Sequence, residues 1–187
     1  MKTTTQNLIE DLISRTKENL NTATQFMELP VEALNHKETP EKWSALECIE
    51  HLNRYGNFYI PEIDQRLKAS NHQPKEVFKS GWLGNYFAKS MLPQGQKMKT
   101  FAAMNPSGSD LDKSVIEHFI SHQHDLLQLL DRARKADLGR IRTSITISKW
   151  ITLKLGDTFR VVIYHNQRHI EQALRAVRQH EEFSMVV

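Results

Sequence analysis

Two histidines four residues apart, His165 and His169 in YHNQRHIEQALRAVR, are the residues of this chain whose type and spacing first suggest chemistry. In a helix that turns about 100° per residue, their imidazoles stand one turn apart on a single face. Two ring nitrogens placed that way can converge on one divalent ion at about 2 Å. Spacing alone decides little. Nine histidines in 187 residues give roughly 0.4 such pairs by chance, and a second pair, His118 and His122, does occur. A metal site therefore requires a third ligand from another element, carried to the same face.

Composition narrows what those elements are. Apolar residues make up 39% and charged residues 25% of the chain, as in an ordinary globular protein. The length suits one domain, residues 1–187, with a real core. Seven glycines and six prolines leave little room for a turn-rich β-sandwich, so helices are favoured. The net charge of +3 is spread among interspersed acids and bases with no basic block, which gives no argument for nucleic acid. Cys48 is the single cysteine; an intramolecular disulfide or a Cys-based metal cluster within one chain is excluded, and a metal would be held by His and carboxylates. The first residues, MKTTTQNLIEDLISRTKENL, carry charges throughout and lack the apolar core of a signal peptide. No run approaches the ~20 apolar residues of a membrane span. A cytoplasmic protein with no membrane partner is expected.

Apolar periodicity predicts four principal helices. The first spans 5–28, through Leu8, Leu12, Leu20, Ala23 and Phe26, and ends at Pro30. The second starts near Pro40-Glu41-Lys42-Trp43 and carries Leu46, Ile49, Leu52 and Phe58, with a kink or short break expected around Gly56 and Pro61. The third runs from a cap near Ser109-Asp110 to about Lys135. The fourth starts at Gly156-Asp157-Thr158, with Asp157 as N-cap, and reaches about Gln179. Residues 71–110, punctuated by glycine and proline, read as a long crossover holding one short helix over 75–91. Its aromatic residues Phe78, Trp82, Tyr86 and Phe87 read as an apolar face packed on the bundle or on a partner subunit. Residues 138–155 alternate over part of their length and are β-branched, yet no second strand run is visible to pair them, so extended coil along the bundle is expected. The fold class is thus all-α, a four-helix bundle with a long connection between the second and third helices.

Such bundles build metal sites from inward-facing side chains of neighbouring helices. His51 lies on the apolar side of the second helix, an expensive place for an idle imidazole, and supplies a third ligand beside His165 and His169. Three neutral imidazoles leave a coordination position open, the arrangement of a catalytic rather than a structural ion. A water or substrate atom bound in that position would lose a proton at neutral pH. His118 falls off the buried stripe of the third helix and His122 at its edge, so that pair reads as surface histidines, with His124 on the polar side and His36 in a solvated loop.

Two segments resemble the DinB-like superfamily. KWSALECIEHL is similar to its second-helix pattern, a Trp-Ser pair (Trp43, Ser44) before a helix whose histidine, His51, follows the tryptophan by eight residues. LGDTFRVVIYHNQRHIEQ resembles its last helix, where a Leu-Gly turn (Leu155, Gly156) leads into H-x3-H (His165, His169) and then Gln172. Together with helix order, the resemblance covers nearly the whole chain. It implies up-down-down-up topology, a three-His site for a divalent ion, zinc before nickel, and a homodimer. It also implies a small-molecule substrate, some relatives being transferases or isomerases that use bacillithiol, mycothiol or another low-molecular-weight thiol. The alternative is a non-catalytic metal-binding bundle acting as a dimeric, stress-related interaction module. The chain departs from the family in one place: Thr152-Leu153-Lys154 stands where a His-Pro pair often precedes the Leu-Gly turn, which concerns the pocket rim and not the ligands.

Neighbouring residues have two readings each. Gln172 could hydrogen-bond a ligand or contact solvent or the bundle. Glu47, one turn before His51, could orient an imidazole or act as a base, though a surface glutamate is its ordinary role. Cys48 could reach the site from the turn before His51, though a small core thiol is its ordinary role, and Tyr55 reads as pocket wall or bundle filler.

Overall fold

Apolar residues at helical spacing form four long helices. In a computed structural model, which describes residues 1–95 and 100–184 (the side chains of Lys149 and of 181–184 excepted), the chain is mostly helical with two small sheets. The first strand, β1 (Lys2–Thr4), runs directly into α1 (Thr5–Phe26), where the Thr4 side chain caps the helix by accepting from the Asn7 amide. A short α2 (Val31–Asn35) precedes α3 (Ala45–Ala69). Strand β2 (Val77–Lys79) and helix α4 (Trp82–Ser90) open the crossover, which later carries a single 3-10 turn at Ala102–Met104. Helix α5 (Ser114–Ala133), strands β3 (Arg142–Ile145) and β4 (Ser148–Lys154), and α6 (Leu155–Ser184) complete the chain. Helix α3 packs on α5 and α6, and α1 packs on the same two. Among the described residues, no helix is long and apolar enough to cross a membrane.

The expected helices stand, with corrections at their ends and between them. Pro61 does not break α3, which continues through it. Tyr59, Ile63 and Leu67 on both sides of the proline are buried in one core, and that packing outweighs the single lost hydrogen bond. The expectation of an all-α fold is corrected by the two sheets. β1 pairs antiparallel with β2, Thr3 opposite Phe78, so the segment expected to begin a helix at 75 is a strand up to Lys79, with helix only from Trp82. The supposed coil at 138–155 pairs with itself: β3 and β4 form an antiparallel hairpin, Thr143 opposite Leu153, with a bulge between Ser144 and Ile145. Residues 96–99 of the expected crossover lie outside the described residues.

Asp157 is not an N-cap. The Leu155 and Gly156 amides donate to the Ile141 and Leu138 carbonyls at 3.0 and 3.2 Å, so the turn before β3 satisfies the first amides of α6 and frees the Asp157 carboxylate for other partners. Gly156 has its own reason: a Cβ there would meet the Phe78 ring at 2.7 Å. The Leu-Gly turn is the place where β2 presses on α6.

Buried apolar residues fall into two clusters, one around Leu12, Ile63, Leu126 and Phe159, the other around Phe26, Ile49, Phe119 and Ile170. Each long helix is polar where it passes from one to the other. Thr16 and Asn19 on α1, Asn53 on α3, His122 and Gln123 on α5, and Asn166 on α6 are all buried. Asn166 donates to Gln123 at 3.4 Å and Asn53 to the Val115 carbonyl at 2.8 Å. His122, expected at the surface, is 8% exposed because Gly56 of α3 leaves room for its ring; His118 and His124 are exposed as expected. This polar belt lies at the level of His51 and His165, so the candidate site occupies the waist between two apolar cores.

Candidate metal centre

The site is built from α3, α6 and the crossover. Ser44 starts α3 with a capping box, its hydroxyl accepting from the Glu47 amide while the Glu47 carboxylate accepts from the Ser44 amide. Glu47 is buried rather than at the surface, and its other oxygen takes Lys37 at 2.7 Å. It sets the helix start and does not face an imidazole as a base. Cys48 is fully buried in the second core, and desolvation pushes its thiol far above the ordinary range, so it is an inert core residue.

One turn after Glu47, His51 meets the two histidines of α6. The Nε2 atoms of His51 and His165 are 3.2 Å apart, and the ligand atoms of His51, His165 and His169 all lie within 4.8 Å of one another. Two imidazoles on a tetrahedral ion at 2.0–2.1 Å would place their nitrogens roughly 3.3 Å apart. The Nδ1–H of His51 donates to the Met104 carbonyl at 2.7 Å, and that of His169 donates to Gln172 Oε1 at 3.0 Å. Each bond assigns the proton to Nδ1 and leaves an Nε2 lone pair for a ligand role. Gln172 thus takes the hydrogen-bonding reading of the two its sequence position allowed.

Burial completes the preparation. His51 and His165 expose 3% and 9% of their surface. Desolvation, opposed in part by the Met104 bond, lowers His51 to about 4. Desolvation, then the other imidazoles, lowers His169 to about 3 and His165 well below its ordinary range. All three rings are therefore neutral at pH 7, as cation ligation demands. Trp43 holds them from one side, its ring 4.8 Å from His51 and 5.8 Å from His169, and its indole N–H donates to Ser107 at 3.0 Å. Tyr55 stands edge-on to His165 and His51 at 4.8 and 5.0 Å. Desolvation raises its phenol to about 12, which keeps the hydroxyl a proton donor at neutral pH. The three-His cluster is compatible with a metal site: the donors are neutral and converge, and those of His51 and His169 are held by their outer hydrogen bonds.

A cavity of about 730 Å³ opens over the cluster, bordered by Trp43, Tyr55, Phe101, Arg168, Gln172 and Arg175 among others. Arg168, unremarked in the sequence although one turn from His165, ties the crossover to α6 by donating to the Ser90 and Gly95 carbonyls at 2.8 and 3.2 Å. The Met104 carbonyl was equally unmarked, since a backbone acceptor leaves no trace in residue type. The rival pair on α5 remains a pair: the rings of His118 and His122 lie 4.2 Å apart, tilted by 50°, and, among the described residues, no third ligand joins them. His36, expected in a solvated loop, is half-buried with its ring 5.0 Å from that of His180.

The lowered imidazoles predict a pH dependence of the metal-free protein. Each has a folded value below its unfolded one of about 6.5, so the unfolded chain binds more protons, and stability present above pH 6.5 is lost as pH falls towards 4. Each group adds up to about 1.4 kcal/mol per pH unit. Carboxylates titrate mainly below about pH 4.5, which leaves the window from 6.5 to 4.5 to histidine. Thermal melts of chelator-treated protein are expected to drop steeply across that window; a flat Tm there would contradict the buried neutral rings.

Residues 13–173 match the family model described as the DinB superfamily, as the two motifs implied. No curated protein and no solved structure matches the chain.

Proposed function

As the chain belongs to the DinB superfamily, we propose that it is a metal-dependent enzyme in which His51, His165 and His169 ligate one divalent ion, zinc before nickel, and which transfers a low-molecular-weight thiol to an electrophilic small molecule. The observation that carries this reading is the convergence of three neutral imidazoles, two with their outer nitrogens already bonded to Met104 and Gln172. An ion bound there supplies a Lewis-acid position that lowers the pKa of a thiol. In such a transfer the S–H bond would break with its proton passing to solvent, the sulfur lone pair would form the new S–C bond, and the leaving group would depart with the electron pair of the bond it loses. Tyr55, held protonated beside the cluster, can donate a hydrogen bond to that departing group, and Trp43 and Phe101 add apolar surface to the cavity wall. The four long helices read as the superfamily's up-down-down-up four-helix bundle in a single domain, 1–187, acting as a cytoplasmic homodimer.

The test is elemental analysis of purified protein, followed by thiol-conjugation assays over a panel of electrophiles with and without chelator. One ion per chain and chelator-sensitive turnover are expected. The exposed indoles Trp82 and Trp150, 85% and 96% accessible, favour a second reading, a non-catalytic interaction module. That reading predicts no thiol-dependent turnover in any arm.

Gln172→Leu tests the orienting bond separately. Loss of the acceptor for His169 Nδ1–H is expected to weaken metal affinity about 10–100-fold with little change in the fold. Competition against a chromogenic chelator measures it, and unchanged affinity would remove Gln172 from the site.

A further inference from the structure

A second, apolar cleft branches from the cavity at His165. It holds about 60 Å³ of free volume, room for about two methyl-sized groups. Its walls come from four elements: Tyr55 and Tyr59 on α3, Phe87 on α4, Ile145 and Leu153 on the hairpin, and Val162 on α6. The Tyr59 hydroxyl is turned to the hairpin, where it accepts from the Thr146 amide at 3.4 Å. The wide cavity has the opposite character: Lys42, Arg168, Arg175, Glu38 and Glu41 line it, with Lys42 paired to Glu38. His165 and Tyr55 border both spaces, so a molecule held at the open side of the cluster has a charged chamber on one hand and an apolar recess on the other.

We propose that this recess binds the short alkyl end, two or three carbons long, of the electrophilic substrate and so sets which electrophile is accepted. The proposal rests on the reading of the cluster as a substrate-binding metal site. An unfilled apolar space among packed side chains costs stability, and here larger side chains at Val162 or Ile145 could fill it. Left open beside candidate ligands, it has the form of a specificity pocket: apolar, concave and continuous with the reacting centre. The charged chamber then takes the polar co-substrate. Each methylene entering the recess strengthens binding about fourfold until the space is full.

The test uses the full chain and a series of straight-chain amides, acetamide to hexanamide, followed by methyl NMR on metal-loaded and chelator-treated protein. Affinity is expected to rise about fourfold per added methylene through butyramide and then to level, with the largest shifts at Val162, Ile145 and Leu153. Ile147→Trp closes the mouth from a position 49% exposed and bordering the cleft, where a larger side chain does not disturb the core. It is expected to weaken butyramide at least about fivefold with an unchanged Tm. Affinity independent of chain length, or equal binding by Ile147→Trp, overturns the proposal. Amide binding that persists after chelation while elemental analysis finds no ion in the untreated protein would keep the recess and reject the metal reading.

Discussion

His165→Ala is expected to take the protein from one bound ion per chain to less than about one tenth, a loss of affinity greater than the 10–100-fold that follows removal of an outer hydrogen-bond partner. His165 is the shared member of the constellation. Its Nε2 faces that of His51 at 3.2 Å, its ring stands 4.7 Å from that of His169, and it borders both the charged cavity and the apolar recess. Without it the two remaining nitrogens come from different helices, and two imidazoles alone hold a divalent ion weakly. The fold should not suffer in proportion. In metal-free protein His165 is a buried imidazole crowded by two others, held neutral at the expense of acid stability, and its removal relieves that burden. Wild type after chelation and His165→Ala are therefore expected to melt at similar temperatures, and added Zn²⁺ to raise only the wild type. Elemental analysis and melts with and without zinc decide it. Full metal retention by His165→Ala would sink the assignment of the ligands.

Legibility of this site in the sequence followed the kind of signal each residue leaves. His165 and His169 are readable because helical spacing puts i and i+4 on one face. His51 is readable because it interrupts an apolar stripe. What holds those rings was harder. Met104 acts through a carbonyl, which every residue possesses, and Trp43 acts by lying across two imidazoles from two helices. The helices were legible from local periodicity, but strand pairing depends on distant partners. Lys2–Thr4 is three residues of no particular pattern and becomes a strand only beside Phe78. Residues 138–155 show an extended pattern in sequence, but the pairing of Arg142–Ile145 with Ser148–Lys154 needs two halves of one short stretch to meet, which alternation alone does not mark. The burial of His122 depends on a distant partner in the same way: Gly56, on another helix, makes the space that takes its ring. Glu47 is legible by another pattern, S-x-x-E before an apolar run, a capping box that assigns the glutamate to the helix start.

Asp157→Ala is expected to cost about 3–5 kcal/mol of stability, a large share of the 5–15 kcal/mol typical of a folded domain. The carboxylate is fully buried and Arg160 is 3% exposed. Asp157 accepts from Arg160 at 3.1 Å, from the Gly81 amide at 2.8 Å and from the Ser80 hydroxyl. Arg160 in turn donates to Asn85 at 3.3 Å and to Ser80 at 3.1 Å. Truncation leaves a guanidinium in the interior without its counter-charge and unhooks the turn between β2 and α4 from α6. Urea unfolding measures the loss, and a change below about 1 kcal/mol would show that the pair does not anchor that turn. The double variant Asp157→Leu/Arg160→Met separates the worth of the pair from the penalty of a lone charge. It removes both charges together and is expected to recover much of the lost stability, because a buried ion pair repays its desolvation only narrowly. Neither residue borders the histidine cavity among its described lining, so folded Asp157→Ala is expected to keep its ion. The distinction matters for reading the Leu-Gly-Asp turn: Gly156 admits Phe78, Asp157 fastens the crossover, and the histidines that follow inherit a helix whose start is already fixed.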